Sequence, residues 1–242
     1  MSHWKYKIYR SFWNALDLLF PPACAGCGNS GSRWCETCRQ NVKILNGTLC
    51  EICGLPQEKP GICPACLADR PRFHSLRAWA VFEDPVQSAL HRLKYRRDIA
   101  VGEMLANEML PFVRGFGWKI DLVVPVPLGR QRMRERGYNQ VAMIAIPLAL
   151  ALGYRYAPAA LKRKKETRTQ VGLSREQRRV NVNDAFQAGE DVKEKTVLII
   201  DDVSTTGATL SSGAHALYTA GARHVFALTV ARAMPHHDLG FV

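Results

Sequence analysis

Beyond residue 66 the chain has no cysteine, and acidic residues are scarce throughout: 21 Asp and Glu stand against 33 Lys and Arg. The resulting formal charge of +12 says nothing about fold, but it points to association with a polyanion. Long apolar runs are missing too. The best of them, residues 141–152, is too short to cross a bilayer and contains Pro147, so no membrane span is expected. At the N-terminus Lys5, Lys7 and Arg10 precede an apolar run at 12–20 that superficially resembles a secretion signal. Asp17 interrupts that run, and Pro21-Pro22-Ala23 is a poor cleavage site, so no signal is expected. Residues 9–20 read instead as an amphipathic helix, with Phe12, Trp13, Leu16, Leu19 and Phe20 on one side, docked on the protein. A membrane-surface or partner-binding helix is the alternative. The chain has no low-complexity tract and no internal repeat apart from its cysteine pairs.

The eight cysteines form four C-x-x-C pairs: Cys24/Cys27, Cys35/Cys38, Cys50/Cys53 and Cys63/Cys66. Each pair presents two thiolates to one tetrahedral metal, and two pairs close a four-cysteine site with no open position for chemistry. Disulfides would require an oxidising compartment and a secretion signal. Two structural Zn2+ ions are the assignment, and an iron–sulfur cluster is the rival. Sequential pairing, first with second and third with fourth, makes a double zinc ribbon and is favoured over an interleaved arrangement. Gly28 and Gly54 directly follow second cysteines, where a tight knuckle must turn. Two tetrathiolate zinc sites at about −2 each lower the formal charge from +12 to about +8. The segment has too few apolar residues for a large core, so metal must supply its stability. Arg70-Pro71-Arg72 marks the expected boundary, dividing the chain into a module over 1–72 and a larger domain over 73–242.

The larger domain is organised around residues 197–210. Val197-Leu198-Ile199-Ile200 reads as a strand buried on both faces of a parallel sheet. Asp201 and Asp202 follow, then Ser204-Thr205-Thr206-Gly207, and a helix from Ala208 to Ala220 closed by Gly221. A strand, a hydroxyl- and glycine-rich turn and a helix N-terminus together make an anion site. The lysine of a Walker P-loop is absent, so a phosphate on a polyhydroxylated ligand fits better than a triphosphate. The turn would hold the phosphate, while Asp201 and Asp202 would accept from vicinal hydroxyls or ligate hydrated Mg2+. Helix capping is the plainer reading of these acids, but one carboxylate would suffice for it.

Elsewhere the pattern predicts a strand over 75–82, a helix from Asp84-Pro85 to about Tyr95 and a helix over 100–114. A strand over 121–125 ends at Pro125-Val126-Pro127. Arg130, Arg132, Arg134 and Arg136 then alternate through an expected loop between Gly129 and Gly137. A helix runs from Tyr138-Asn139-Gln140 to about Leu152, with a kink near Pro147. A last strand covers 223–231. Residues 162–179 hold eight basic and two acidic side chains, half the formal excess of the chain. This stretch, including Arg163, Lys164, Lys165 and Arg168, reads either as a solvated helix face or as a surface for nucleic-acid phosphate. Arg168, Thr169 and Gln170 are also ligand candidates, whereas Arg175, Arg178 and Arg179 look like helix or phosphate-backbone residues. Tyr95 and Tyr138 are weaker candidates for base stacking.

Residues 197–210 resemble the phosphoribosyl-pyrophosphate (PRPP) loop of type I phosphoribosyltransferases. Together with the cysteine pairs, Leu93-Lys94-Tyr95, Pro125-Val126-Pro127, Arg136-Gly137-Tyr138-Asn139-Gln140, Thr169-Gln170, 178–181 and Ala185-Phe186, they make nearly the whole chain similar to the ComF (ComFC) competence family. The resemblance implies an α/β fold, a type I phosphoribosyltransferase-like parallel sheet flanked by helices, preceded by a small zinc-ribbon domain. It implies a cytoplasmic factor of natural transformation, with competence or recombination proteins as partners. It also implies PRPP or a related sugar phosphate, with Mg2+, bound at Asp201, Asp202, Ser204, Thr205, Thr206, Gly207, Ala208, Thr209 and Lys94. One departure stands out: a glycine usual shortly after Leu-Lys-Tyr is replaced by Arg97. Single-stranded DNA is the expected macromolecular ligand, and a working phosphoribosyltransferase with an unknown acceptor is the alternative. Against the latter, little chain follows the last strand to build a nucleobase hood, and no general base stands out beyond the two aspartates. His215 and His224 suit ordinary surface positions.

Overall fold

In a computed structural model of the chain, the described residues are 21–164 and 185–234, with 4, 6–9, 11 and 13 at the N-terminus. Most of the expected helix over 9–20 lies outside them. Its described part is helical, and the Tyr6 hydroxyl donates to Asn107 of the larger domain. Lys165, Arg168, Thr169, Gln170, Arg175, Arg178 and Arg179 also lie outside the described residues.

The cysteine-rich segment contains two short helices, α1 (Glu36–Gln40) and α2 (Pro64–Ala68). There follow β1 (Ser75–Val81), α3 (Val86–Tyr95), α4 (Ala100–Arg114), β2 (Leu122–Pro125), α5 (Arg130–Arg136), α6 (Gln140–Leu152) and β3 (Arg155–Tyr156). Then come β4 (Leu161–Arg163), β5 (Phe186–Ala188), β6 (Thr196–Ser204), α7 (Ala208–Thr219) and β7 (His224–Arg232). The main sheet has the order β1-β7-β6-β2-β3, with every neighbouring pair parallel. β4 and β5 form a separate antiparallel pair.

Because side chains alternate across a strand, the unbroken apolar run of β6 supplies both faces of the sheet. Leu198 and Ile200 join Val123, Leu228 and Val230 in the core under α3, α4 and α6. Val197 and Ile199 join Leu122, Val124 and Val225 in the core under α7 and the β4/β5 pair. All four β6 side chains are fully buried, which contributes about 1.5–3 kcal/mol each.

The cysteine-rich segment covers the edge of β1 that β7 leaves open. Leu45 N–H donates to the Trp79 carbonyl at 3.0 Å, Val81 N–H to Lys43 at 2.9 Å, and Leu76 N–H to Ile52 at 2.6 Å. An exposed parallel edge would invite pairing with another chain, and this module removes it. Cys24 and Cys38 pack into the core under α3, α4 and α6, whereas Cys50, Cys53 and Cys66 pack into the core under α7. The module thus straddles the sheet edge. Arg39 of α1 secures it to α4 by donating to Glu108 at 2.8 Å.

Three expectations are corrected. The stretch between Gly129 and Gly137 is the helix α5, not a loop. It is closed by Gly137 in the left-handed conformation (φ 82°), whose N–H donates to the Met133 carbonyl at 2.9 Å. Residues 161–163 form a strand, so a helical face is excluded for Lys162 and Arg163. β6 does not stop before the carboxylates but carries Asp201 and Asp202 within its ladder as far as Ser204.

Candidate functional site

Asp201 and Asp202 sit at the carboxyl end of the central strand, where parallel sheets bind ligands. Strand alternation separates them. Asp202 lies on the α3/α6 side and is 6% exposed; it accepts from Gln140 Nε2 at 2.7 Å, from Val203 N–H at 2.7 Å, and pairs with Lys94 Nζ at 3.2 Å. Burial alone would raise its pKa, but Lys94, Gln140 and the Val203 amide together hold the carboxyl below the usual carboxylate range. Asp201, half-buried, lies on the other side, toward Arg163. Burial, followed by repulsion from Asp202, pushes it up to about 8, against the pull of the Asp202 amide, Lys94 and Arg163. The two carboxylates are therefore not equivalent. Asp202 is held by three donors within the protein, and burial outweighs the positive charge that reaches Asp201.

After Ser204 the chain turns into α7 through Gly207, whose φ of 79° suits a residue without Cβ. A Cβ there would meet the Phe73 ring at 3.5 Å, an ordinary contact, so the left-handed backbone and not space is what calls for glycine. Ser204 is buried, and its hydroxyl has no hydrogen-bond partner among the described residues. Thr205, Thr206, Ala208 and Thr209 are half-buried, with Thr206 Oγ1 accepting from Ala208 N–H at 3.3 Å. The α7 N-terminus, with its first-turn amides and helix dipole, thus lies beside the carboxylate pair, a place for an anion.

A second loop approaches from α3. Lys94 occupies its last turn, and Arg97 beyond it adopts φ 56°, the left-handed conformation that glycine favours. The substituted arginine therefore keeps a glycine-like backbone and adds an exposed guanidinium. Tyr95 is 61% exposed, with the Arg136 guanidinium 5.5 Å from its ring centroid, while Arg136 also donates to Gln140. Tyr138 is packed, its hydroxyl donating to the Leu93 carbonyl. Gln140, quoted in the sequence only as part of a motif, thus joins Arg136 to Asp202.

The remaining basic candidates are dispersed. On α5, Arg130, Arg132 and Arg134 are exposed and Arg136 half-buried; helical spacing pairs Arg130 with Arg134 and Arg132 with Arg136 on separate faces. Lys164 is exposed, whereas Arg163 lies over the Phe186 ring at 5.4 Å and within 3.5 Å of the Pro127 carbonyl. Sequence reasoning missed an apolar hollow of about 450 Å³ at the carboxyl ends of β2 and β3, lined by residues including Met133, Tyr138, Met143 and Tyr156.

The cysteines gather as Cys24, Cys27, Cys35 and Cys38, and as Cys50, Cys53, Cys63 and Cys66, with all sulfurs in each group within 4.8 Å of one another. Pairing is therefore sequential. Cys27 and Cys35 Sγ lie 3.7 Å apart, as do Cys53 and Cys63. Four sulfurs about 2.3 Å from a tetrahedral Zn2+ would be separated by about 3.8 Å, so both groups fit the metal without rearrangement. Cys24 Sγ accepts from the Cys35 amide at 3.4 Å and Cys50 Sγ from the Cys63 amide at 3.3 Å, bonds that favour thiolate. Gly54, at φ 68°, turns the second knuckle against β1; a Cβ there would lie 2.4 Å from the Leu76 carbonyl oxygen.

A parallel sheet with a carboxylate pair and glycine turn at its centre, edged by two four-cysteine groups, defines a zinc-ribbon protein of phosphoribosyltransferase type. The phosphoribosyl transferase domain family matches residues 114–236, and the double zinc ribbon domain family matches residues 15–67. The DNA utilization protein YhgH of Salmonella typhimurium is 32% identical over 202 residues, covering 80% of this chain and 88% of its own. Competence protein ComFC of Bacillus subtilis is 27% identical, covering 86% and 84%; competence protein F of Haemophilus influenzae is 29% identical, covering 82% and 90%. Among solved structures, the B. subtilis glutamine PRPP amidotransferase complexed with ADP and GMP aligns with 57% of this chain and 26% of its own, at 25% identity and a TM-score of 0.36. The chain belongs to the ComF family of competence proteins.

Proposed function

We propose that this protein acts in DNA uptake during natural transformation. In this reading it binds single-stranded DNA on its basic surface and a PRPP-type ligand with Mg2+ at the end of β6. The observation that carries the ligand reading is the inequivalent carboxylate pair beside the left-handed Gly207 turn that opens α7. The amides of 205–208 take the 5′-phosphate, and Asp202, already held by Lys94 and Gln140, orients Asp201 and accepts from the ribose hydroxyls. Burial outweighs the positive charge that reaches Asp201, and a divalent cation adds more, so the residues present fit Mg2+. Lys94 and the Arg97 turn face the pyrophosphate end. The names of the relatives support the role in DNA handling.

The DNA reading rests on α5, whose exposed arginines, together with Lys164, offer phosphate contacts away from the carboxylates. It also rests on a net charge that stays near +8 after two zinc centres are counted. Residues 1–72 form the helix and zinc-ribbon module and 73–242 the ligand-binding domain. The work of the protein is cytoplasmic, alongside competence and recombination proteins.

A second reading, catalytic transfer of the phosphoribosyl group, draws support from Asp201, because a carboxyl raised to about 8 holds or accepts a proton near neutral pH. The hollow beside β2 offers an acceptor room. Calorimetry with PRPP and Mg2+, run beside fluorescence anisotropy with a labelled oligonucleotide, tests the first reading. Pyrophosphate release above background tests the second. Absence of PRPP binding by the zinc-replete chain would overturn both.

A further inference from the structure

Two guanidinium groups connect the cysteine clusters to the two loops that frame the carboxylate pair. Arg92, on α3, donates from Nη1 to the Cys24 carbonyl at 2.8 Å and from Nη2 to Asp98 at 2.9 Å. Cys24 belongs to the first cluster, and Asp98 follows Arg97 in the left-handed turn beyond Lys94. Arg232, at the end of β7, donates from Nη1 to the carbonyl of Cys53, a member of the second cluster, at 2.6 Å. Its backbone is paired in the ladder with Ser204, and the next amide, Ala233, donates to the Ser204 carbonyl at 2.9 Å. Ser204 is the residue from which the phosphate turn departs.

Arg232 is 2% exposed. A buried guanidinium needs a counter-charge, and among the described residues no carboxylate bonds to it. The ionisable groups that act on it are the four cysteines of the second cluster, which become anionic as thiolates. Four thiolates around one divalent metal carry about −2, so a loaded centre supplies the missing charge. It also fixes the knuckle carbonyl that Arg232 grips. Arg77 adds a second guanidinium beneath this knuckle, donating to the Glu51 carbonyl at 3.1 Å. Arg92 has its counter-charge in Asp98 and takes only its geometry from the first knuckle.

We infer that Arg92 and Arg232 are positioning residues, each tying one metal centre to one loop of the phosphate site, so that metal loading orders the site. The zinc module then does more than cover a sheet edge. The ligand's identity rests on the function proposed above, but the tie between metal and loop does not. Because such coupling is reciprocal, a ligand that orders the loops tightens metal binding by the factor by which metal improves its own.

The test uses the full zinc-loaded chain and two variants, Arg92→Met and Arg232→Met. Zinc transfer to a chromophoric chelator, hydrogen exchange at 94–99 and 201–209, and PRPP calorimetry are measured on each. Arg232→Met should bind one of the two zinc ions about 10- to 100-fold more weakly and yield it more readily to the chelator, the usual effect of losing a group that orients metal ligands. It should also raise exchange at 201–209 while sparing 94–99. Arg92→Met should show the converse pairing. If Arg232→Met fails to fold, partial chelation of the wild-type chain must deprotect 201–209 as the second zinc leaves. Unchanged zinc release and loop exchange in the folded variants, or a partly stripped wild type with undisturbed loops, would overturn the inference. Should the pairing hold while the wild type binds no PRPP, the inference stands and the ligand assignment falls. Should PRPP bind all three chains equally with unmoved loops, the inference alone falls.

Discussion

Replacing Lys94 by Met removes the ammonium 3.2 Å from Asp202 and keeps the length of its stem. The side chains of the pair are 13% and 9% exposed, so water screens them weakly. Removing one partner of a buried pair strands the other charge, at a cost of about 3–5 kcal/mol. Gln140 and the Val203 amide still hold the Asp202 carboxylate, which places the expected loss at the lower end, about 3 kcal/mol. The loss should depend on pH in a definite direction. The folded pKa of Asp202 is lowered, so the carboxyl contributes stability above its unfolded value of 3.8 and loses it as pH falls through the folded value. Lys94→Met should therefore cost most near neutrality and progressively less below that value. The double variant Lys94→Met/Asp202→Leu should recover more than half of the loss, because apolar replacement of a buried pair is often close to neutral. Urea denaturation followed by circular dichroism, at pH 7 and at acid pH, completes the cycle. A loss under about 1 kcal/mol at pH 7, the value of an exposed pair, would show that solvent reaches Asp202 and refute the reasoning.

Three further outcomes follow from the same geometry. Asp201 has its folded pKa raised from 3.8 to about 8, so its contribution to stability is present below the lower value and lost as pH rises through the upper. Without divalent metal, Tm should drift down across that window in the wild type and not in Asp201→Asn; parallel curves would contradict this. Arg97→Gly should leave stability within about 1 kcal/mol, since relief of a left-handed residue (about 1–2 kcal/mol) roughly offsets the greater freedom of glycine in the unfolded chain. The same variant should lower PRPP affinity in calorimetry, and unchanged affinity would remove the guanidinium from the ligand. Replacing Arg130, Arg132 and Arg134 by Ala should flatten the salt dependence of single-strand binding, by a slope of about 0.7 for each phosphate no longer neutralised; an unchanged slope would return α5 to a merely solvated helix.

Regular packing was legible in the residues. The β6 run, the helix Ala100–Arg114 and the sequential cysteine groups match their expected places because each rests on local pattern: apolar continuity, helical period or knuckle spacing. Helix α5 was not legible, because four arginines at alternate positions bury nothing and show no apolar stripe. Its closing glycine was the one available signal. The inequivalence of Asp201 and Asp202 depends on which helices lie over each face of β6, and adjacency in sequence hides it. Gln140, Arg92 and Arg232 acquire their roles only through partners 62, 68 and 179 residues away in the chain.

The central claim is that the carboxylate pair belongs to a PRPP-type ligand and that nucleic acid binds elsewhere. Replacing both Asp201 and Asp202 by Asn keeps their size and removes two charges. PRPP binding with Mg2+ should weaken by about 1.5–3 kcal/mol for each charged hydrogen bond lost. Single-strand binding should hold or improve slightly, because like charge beside a polyanion is repelled. Calorimetry and fluorescence anisotropy on one preparation read both. Loss of DNA binding in a folded, zinc-replete double variant would contradict the account, making the two sites one and the nucleic acid itself the ligand of the β6 loop.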